Sequence, residues 1–329
     1  MDAAALRVDR RRTWRTKLPA ALWLGGGLGL SVWLIIHFGA PAVGDALRTA
    51  GLLGLVAIAA FHLISTTVMG LAWWRLRRLG KRWVFIWGRL LRDAGTEVLP
   101  LSQLGGSLLA MRSAVLHGIA ASIAVATVVV DITMEFCAQI AFATLGVILL
   151  AWLRPESPLT LPALIGLGIA LSAALGFILL QRRESDFLVR AATRFASTSI
   201  GAALAGASVV QRELRQTYRL NRVWPSFLMH FAAWMLDGVE VWLALHFMGA
   251  HLSFAAILTM ESLLYAARSV AFLVPNAVGV QEGAYVVLGT ALGLTPGLAL
   301  GLSLLKRGRD MLLGIPALLT WQIFESKQR

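Results

Sequence analysis

Along its length the chain alternates long apolar runs with short blocks of arginine and lysine. A helix needs ~20 apolar residues to cross the hydrocarbon core of a bilayer. Four segments meet that requirement without interruption: 18–38, 51–73, 161–181 and 224–248. Two more, 114–152 and 296–321, carry charged residues in mid-run, and two further stretches, 83–110 and 253–292, are apolar but interrupted by proline, glycine and charge. The pattern predicts an all-α fold, a polytopic transmembrane helical bundle of about six full spans plus two broken or re-entrant segments.

The basic blocks orient these spans. The first 17 residues carry Arg7, Arg10, Arg11, Arg12, Arg15 and Lys17 against Asp2 and Asp9. Arg75, Arg77, Arg78, Lys81, Arg82, Arg89 and Arg92 form a second block, and eight arginines from Arg182 to Arg222 a third. The turns near 39–50 and 153–160 hold one arginine each, Arg48 and Arg154. By the positive-inside rule the three rich blocks are cytoplasmic and the two poor turns are outside. Residues 1–17 are then a basic cytoplasmic N-terminus and 18–329 a single integral membrane domain. With residue 92 inside and the run that ends near Trp152 also starting inside, 93–111 cannot cross; it lies on the surface or returns as a re-entrant hairpin. The run from Leu18 to Phe38 exceeds the ~7–15 apolar residues of a secretory signal, so it reads as an uncleaved anchor. Trp73, Trp74, Trp83, Trp152, Trp224 and Trp321 sit near predicted span ends, as interfacial anchors do, and 184–222 reads as an amphipathic cytoplasmic connector.

Composition agrees with this picture and removes its competitors. Hydrophobic residues make up 58% of the chain and charged residues 14%, well short of the ~25% charge that soluble domains use. The net charge of +13 invites a nucleic-acid partner, but its segregation into blocks between apolar runs is a topology signal. No nucleic-acid partner is expected. The single cysteine, Cys137, excludes an internal disulfide, and the six histidines lack metal-ligand spacing. His246 and His251 merely bracket a short turn. No metal and no cofactor is expected, and no Walker, HExxH or GxSxG motif is present to support catalysis.

An offset of 175 residues carries Pro100 onto Pro275, Gly118 onto Gly293, Asp131 onto Lys306 and Glu135 onto Asp310. It also carries 51–73 onto 226–248. The shared order is span, broken segment, charged span, which predicts two repeat halves, about 51–152 and 226–327. Opening spans of opposite direction make the repeat inverted, as in many transporters. An alternative topology makes 253–274 a full span, with parallel repeats and the C-terminus outside; Lys327 and Arg329 favour the inverted arrangement.

Charges inside the membrane single out candidate residues, because each costs ~2.5–3.5 kcal/mol at mid-bilayer on insertion scales. Glu261, Tyr265 and Arg268 precede the break Pro275-Asn276-Ala277-Val278-Gly279-Val280-Gln281-Glu282-Gly283, and Lys306, Arg307, Arg309 and Asp310 follow it. Lys306 and Asp310 share a helix face, Arg309 is near it, and Arg307 points about 100° away. Three cations against one acid ask for an external acid or a phosphate, though structural ion pairs between helices would use the same residues. Asp131 and Glu135, four apart without a base in their span, can supply that counter-charge across the repeat axis. Asp237 and Glu240 form a second acidic face, with His230 two turns away as a proton-relay candidate. Pro275, Gly279, Gln281, Glu282 and Gly283 fit a broken helix whose free amides bind an anionic group. Glu97, Pro100, Gln103, Gly105 and Gly106 are a weaker version of the same device.

The run ESLLYAARSVAFLVPNAVGVQEGAYVVLG, followed by LSLLKRGRDMLLGIPALLTWQ, resembles the flippase-like membrane domain of lysylphosphatidylglycerol synthases. It is most similar to the hopanoid-biosynthesis-associated branch called HpnL. The resemblance covers about 18–322 and is most specific over 261–322. It implies lipid handling in a bacterial inner membrane, with lipid translocation as the activity, membrane lipids as ligands, and hopanoid-biosynthesis or lipid-transport proteins as partners. Full-length synthases add an aminoacyl-transferase domain; this chain ends at Arg329, after its last span, so the resemblance implies no enzymatic aminoacylation. A membrane partner that organises lipid-modifying enzymes, and a membrane-embedded lipid-modifying enzyme, are the competing readings.

Overall fold

A computed structural model describes residues 32–33, 36–37, 40–98, 102–182, 200–270 and 277–326. Those residues are helical throughout, joined by short turns. The predicted first span, 18–38, lies almost wholly outside them, as do the basic N-terminus, Pro100, Pro275, the connector over 184–199, and Lys327 and Arg329.

Helix α1 covers Ala40–Arg77 and is kinked at Gly51, whose φ of 59° and ψ of −173° suit a residue without a Cβ. The uninterrupted apolar run does begin at Gly51. The preceding 40–50, expected to be a turn, is helical instead: it is alanine-rich, and Val43, Ala46 and Ala50, three and four apart, are buried against the core.

Helices α2 (Arg82–Val98) and α3 (Ser102–Leu116) form an antiparallel hairpin. Trp83 meets His117 at its open end, Gly88 lies beside the Ala110 carbonyl, and Gly95 meets Gly106 near its tip. The glycines let the limbs touch backbone to backbone. Helix α4 (Ala121–Leu153) starts seven residues later than the expected 114, because α3 ends in a turn over 117–120. Helix α5 (Thr160–Arg182) packs mainly on α4, and α6 (Ile200–Arg219) lies along α4 with Arg77 bonded to Glu213 at 2.8 Å.

Four further helices follow. Helix α7 (Val223–Phe247) is followed by α8 (Phe254–Val270), α9 (Val280–Leu292) and α10 (Pro296–Ser326). Tyr285 bonds Glu261 and Gly293 approaches Leu252, so α8 and α9 are also antiparallel limbs. Their 17 and 13 residues span about 25 and 20 Å at ~1.5 Å per residue, short of the ~30 Å hydrocarbon core. Val43–Arg77, Ala121–Leu153 and Val223–Phe247 are long and apolar enough to cross a membrane by length and composition.

At the centre α1 and α7 run antiparallel: Phe247 covers Gly54, His62 meets Glu240, and Ser65 meets Asp237. Helix α4 packs against α7 and α8, and α10 against α1 and α2. Outward faces are apolar, with Ile169, Trp224, Leu228 and Leu312 exposed, whereas Asp131, Glu240, Glu261 and Lys306 are buried. Charge inside and hydrocarbon outside is the arrangement of a multi-pass membrane protein.

The hairpin contact is testable. A Cβ on Gly106 would collide with the Arg92 carbonyl and Thr96, while one on Gly105 meets nothing within 4 Å. Gly106→Ala should destabilise the folded protein by about 1–3 kcal/mol, and Gly105→Ala should leave it unchanged or stabler, as measured by thermal unfolding in detergent.

Candidate functional site: a buried network of charges

The amphipathic helix α2 turns Arg89, Arg92 and Asp93 to one face, and that face meets α4. Arg89 bonds Glu135 at 2.9 Å and Asp93 at 2.9 Å, and Arg92 forms an ion pair with Glu135 at 2.7 Å. Asp131 accepts from Arg92 at 3.4 Å and lies 2.9 Å from His230 Nε2 on α7. Three expectations change. Asp131 and Glu135 are not the counter-charges of Lys306 and Arg309; they are held by bases from α2 and α7. Arg89, only 7% exposed, is no cytoplasmic anchor, because it sits on the inward face of its helix. His230 serves Asp131, so it forms no relay with Asp237.

The cations of α10 diverge to three partners. Lys306 Nζ lies 2.5 Å from Glu261, which also accepts the Tyr285 hydroxyl at 2.5 Å, and the rings of Tyr265 and Tyr285 flank the ammonium at 5.6 and 5.7 Å. Arg307 pairs with Glu282. Arg309 pairs with Glu240, bonds Asp310 at 2.6 Å, and approaches His62 Nδ1 at 3.0 Å. The local cation excess on α10 is therefore met by carboxylates from α7, α8 and α9. An external phosphate would have to compete with them.

The start of α9 shows the same economy. Gly279 takes φ 83°, a left-handed conformation that opens the helix, and its N–H donates to Glu282 Oε2 at 2.7 Å. The amide expected to receive an anionic ligand is thus occupied by the chain's own carboxylate, which Arg307 ties to α10. Gln281 donates to Ser303 at 3.1 Å, and the Gly283 N–H donates to the Gly279 carbonyl at 2.9 Å. Arg268 reaches across to Glu97 at 2.7 Å, joining the α8–α9 hairpin to the α2–α3 hairpin.

Glu261, Arg268, Gly279, Gln281, Glu282, Gly283, Lys306, Arg309 and Asp310 thus gather around α8, α9 and α10, while Asp131 and Glu135 belong to a separate group. His62 and Ser65 escaped the sequence reading. His62 Nδ1 stands 2.8 Å from Glu240, and Ser65 donates to Asp237 at 2.9 Å. A histidine three residues before a serine within an apolar run was the available signal. Ligand atoms of His62, Asp237 and Glu240 lie within 4.8 Å of one another. Their lone pairs already face Arg309, Ser65 and the Tyr265 hydroxyl, which argues against a metal there.

The sequence profile of the lysylphosphatidylglycerol synthase TM region matches residues 20–317. No curated protein and no solved structure matches the chain.

Removing one partner of a buried pair strands the other. Glu261→Gln should destabilise the protein by about 3–5 kcal/mol in detergent unfolding, by leaving Lys306 without its carboxylate. The double change Glu261→Gln with Lys306→Met should recover a large part of that loss; equal loss in both would show that the pair itself is not what matters.

Proposed function

This chain belongs to the lysylphosphatidylglycerol synthase TM region family, and from that premise we propose that it translocates an amphipathic lipid across a bacterial inner membrane. The observation that carries the reading is the placement of paired, exchangeable charges between two similar groups of four helices, α1–α4 and α7–α10. The 175-residue offset carries His62 onto Asp237 and Ser65 onto Glu240, so the contacts His62–Glu240 and Ser65–Asp237 exchange with one another. Antiparallel α1 and α7 and the two short hairpins support an inverted repeat, and the basic blocks support a cytoplasmic N-terminus. Such repeats hold substrate at their interface near mid-membrane.

In this reading a polar headgroup moves through the interior by trading places with internal partners. Arg307–Glu282 and Arg268–Glu97 are interior pairs that keep some exposure, with cation side chains 13% and 18% exposed. An anionic headgroup would compete there for the guanidinium groups, and the acyl or polycyclic part would stay against the apolar outer faces. A hopanoid is the lipid class to which the similarity with the hopanoid-associated branch points.

The completeness of the pairing favours a second reading, in which the charges only lock helices together. The protein would then be a non-catalytic membrane partner of hopanoid-biosynthesis or other lipid-modifying enzymes.

Proteoliposomes holding the purified protein and headgroup-labelled lipids separate the two. Translocation predicts loss of label protection with time, slowed about tenfold or more by Glu282→Gln or Arg307→Ala, as expected where ~1.4 kcal/mol or more of interaction is removed from the path. Folded protein that moves no candidate lipid would leave the partner reading, which predicts co-purification with lipid-modifying enzymes.

A further inference from the structure

A cleft between α1, α2 and α10 is lined by His62, Thr66, Asp93, Glu97 and Asp310. It has room for about one water. Thr66 is 2% exposed, and its hydroxyl has no partner. The neighbouring Thr67, and Thr144 and Thr259 elsewhere, donate to the carbonyl four residues before them. Thr66 leaves that bond unmade beside the cleft, where a water or hydronium would complete it.

His62 links the cleft to the charge network. Its Nδ1 stands 2.8 Å from Glu240 Oε2 and 3.0 Å from Arg309 Nη1. One ring nitrogen cannot serve both. Bearing hydrogen, it donates to Glu240 and opposes the guanidinium; bare, it accepts from Arg309 and opposes the carboxylate. A single proton decides which bond is made.

Charged groups face His62 from three helices. From α7, Glu240 and Asp237 face His62; from α10, Arg309 and Asp310; from α2, Asp93 and Glu97. Lys306 lies behind Glu240 but is held by Glu261, and Asp131 and Glu135 on α4 are engaged by Arg89, Arg92 and His230. Asp237, Glu240 and Asp310 share Arg309; Arg268 lies near Asp310 but is paired with Glu97, and Arg307, near Glu97, is paired with Glu282.

We propose that His62 is a proton-binding site, loaded through this cleft, and that its protonation drives the lipid movement assigned above. With the ring cationic, Glu240 is satisfied by His62 and Arg309 passes wholly to Asp310. That weakens the tie between α7 and α10. Deprotonation restores it. The inference rests on the translocation reading for what is driven, but the proton site stands on its own geometry.

The full-length protein in lipid nanodiscs, labelled with ¹⁵N-histidine, tests the site directly. Between about pH 5 and pH 9 the His62 imidazole, identified by the signal absent in His62→Gln, should change protonation state. Thr66→Val should shift its midpoint, and replacing Na⁺ by choline should not. A His62 ring fixed in one state across that range overturns the site, and competition by Na⁺ overturns it in favour of a metal-cation site. Where His62→Gln fails to fold, His62→Asn or sequential assignment of the wild-type spectrum identifies the same ring. In proteoliposomes an imposed pH gradient should accelerate lipid movement several-fold. Titration with gradient-insensitive lipid movement overturns the drive. Titration with no lipid movement overturns translocation and leaves the proton site standing.

Discussion

A charge enclosed in a membrane protein has to be met by another charge or by a strong hydrogen-bond donor, and here that requirement organises the helices. Apolar faces alone place helices side by side but discriminate weakly among partners, since lipid tails solvate leucine as well as another helix does. Arg89 and Arg92 fix α2 against α4, Lys306 fixes α10 against α8, and Arg307 fixes it against α9. Arg309 adds α7. Each pair therefore does what a hydrophobic core cannot do in this solvent: it specifies which helices a buried charge links.

Pairing also explains why the interior can be polar without being loose. Glu261 accepts from an ammonium and a phenol, Asp237 from two hydroxyls, and Glu282 from a guanidinium and a backbone amide. Every one of these carboxylates is solvated by the protein instead of by water. A headgroup entering this interior needs no new charges to greet it, only a change of partner, and near-equal alternatives at one atom are what His62 displays.

The elements were largely legible in the amino-acid sequence because long apolar runs and helix breakers act locally. The runs 161–181, 224–248 and 296–321 correspond to α5, α7 and α10, and the glycine- and proline-broken stretches are short antiparallel hairpins. What was not legible is who pairs with whom. Helical periodicity gives the face on which Asp131 and Glu135 lie but not the helix opposite. Arg89 and Arg92 fall in a basic block that reads as cytoplasmic because charge counting ignores direction, whereas the amphipathic face of α2 points them inward. His62 meets Glu240 across 178 residues of sequence, and no local pattern carries that information.

The ion pairs also divide by order of synthesis. Glu135 finds Arg89 and Arg92 within the first four helices, and Lys306, Arg307 and Arg309 find Glu261, Glu282 and Glu240 within the last four. Among the described residues, Arg268 to Glu97, His230 to Asp131, His62 to Glu240 and Arg112 to Glu325 cross between the groups. Each group is close to electrically self-sufficient. The first can thus enter the bilayer with most of its buried charge already neutralised while the ribosome is still making the second, and the crossing links then act as the clasp that closes two pre-assembled pieces into one protein.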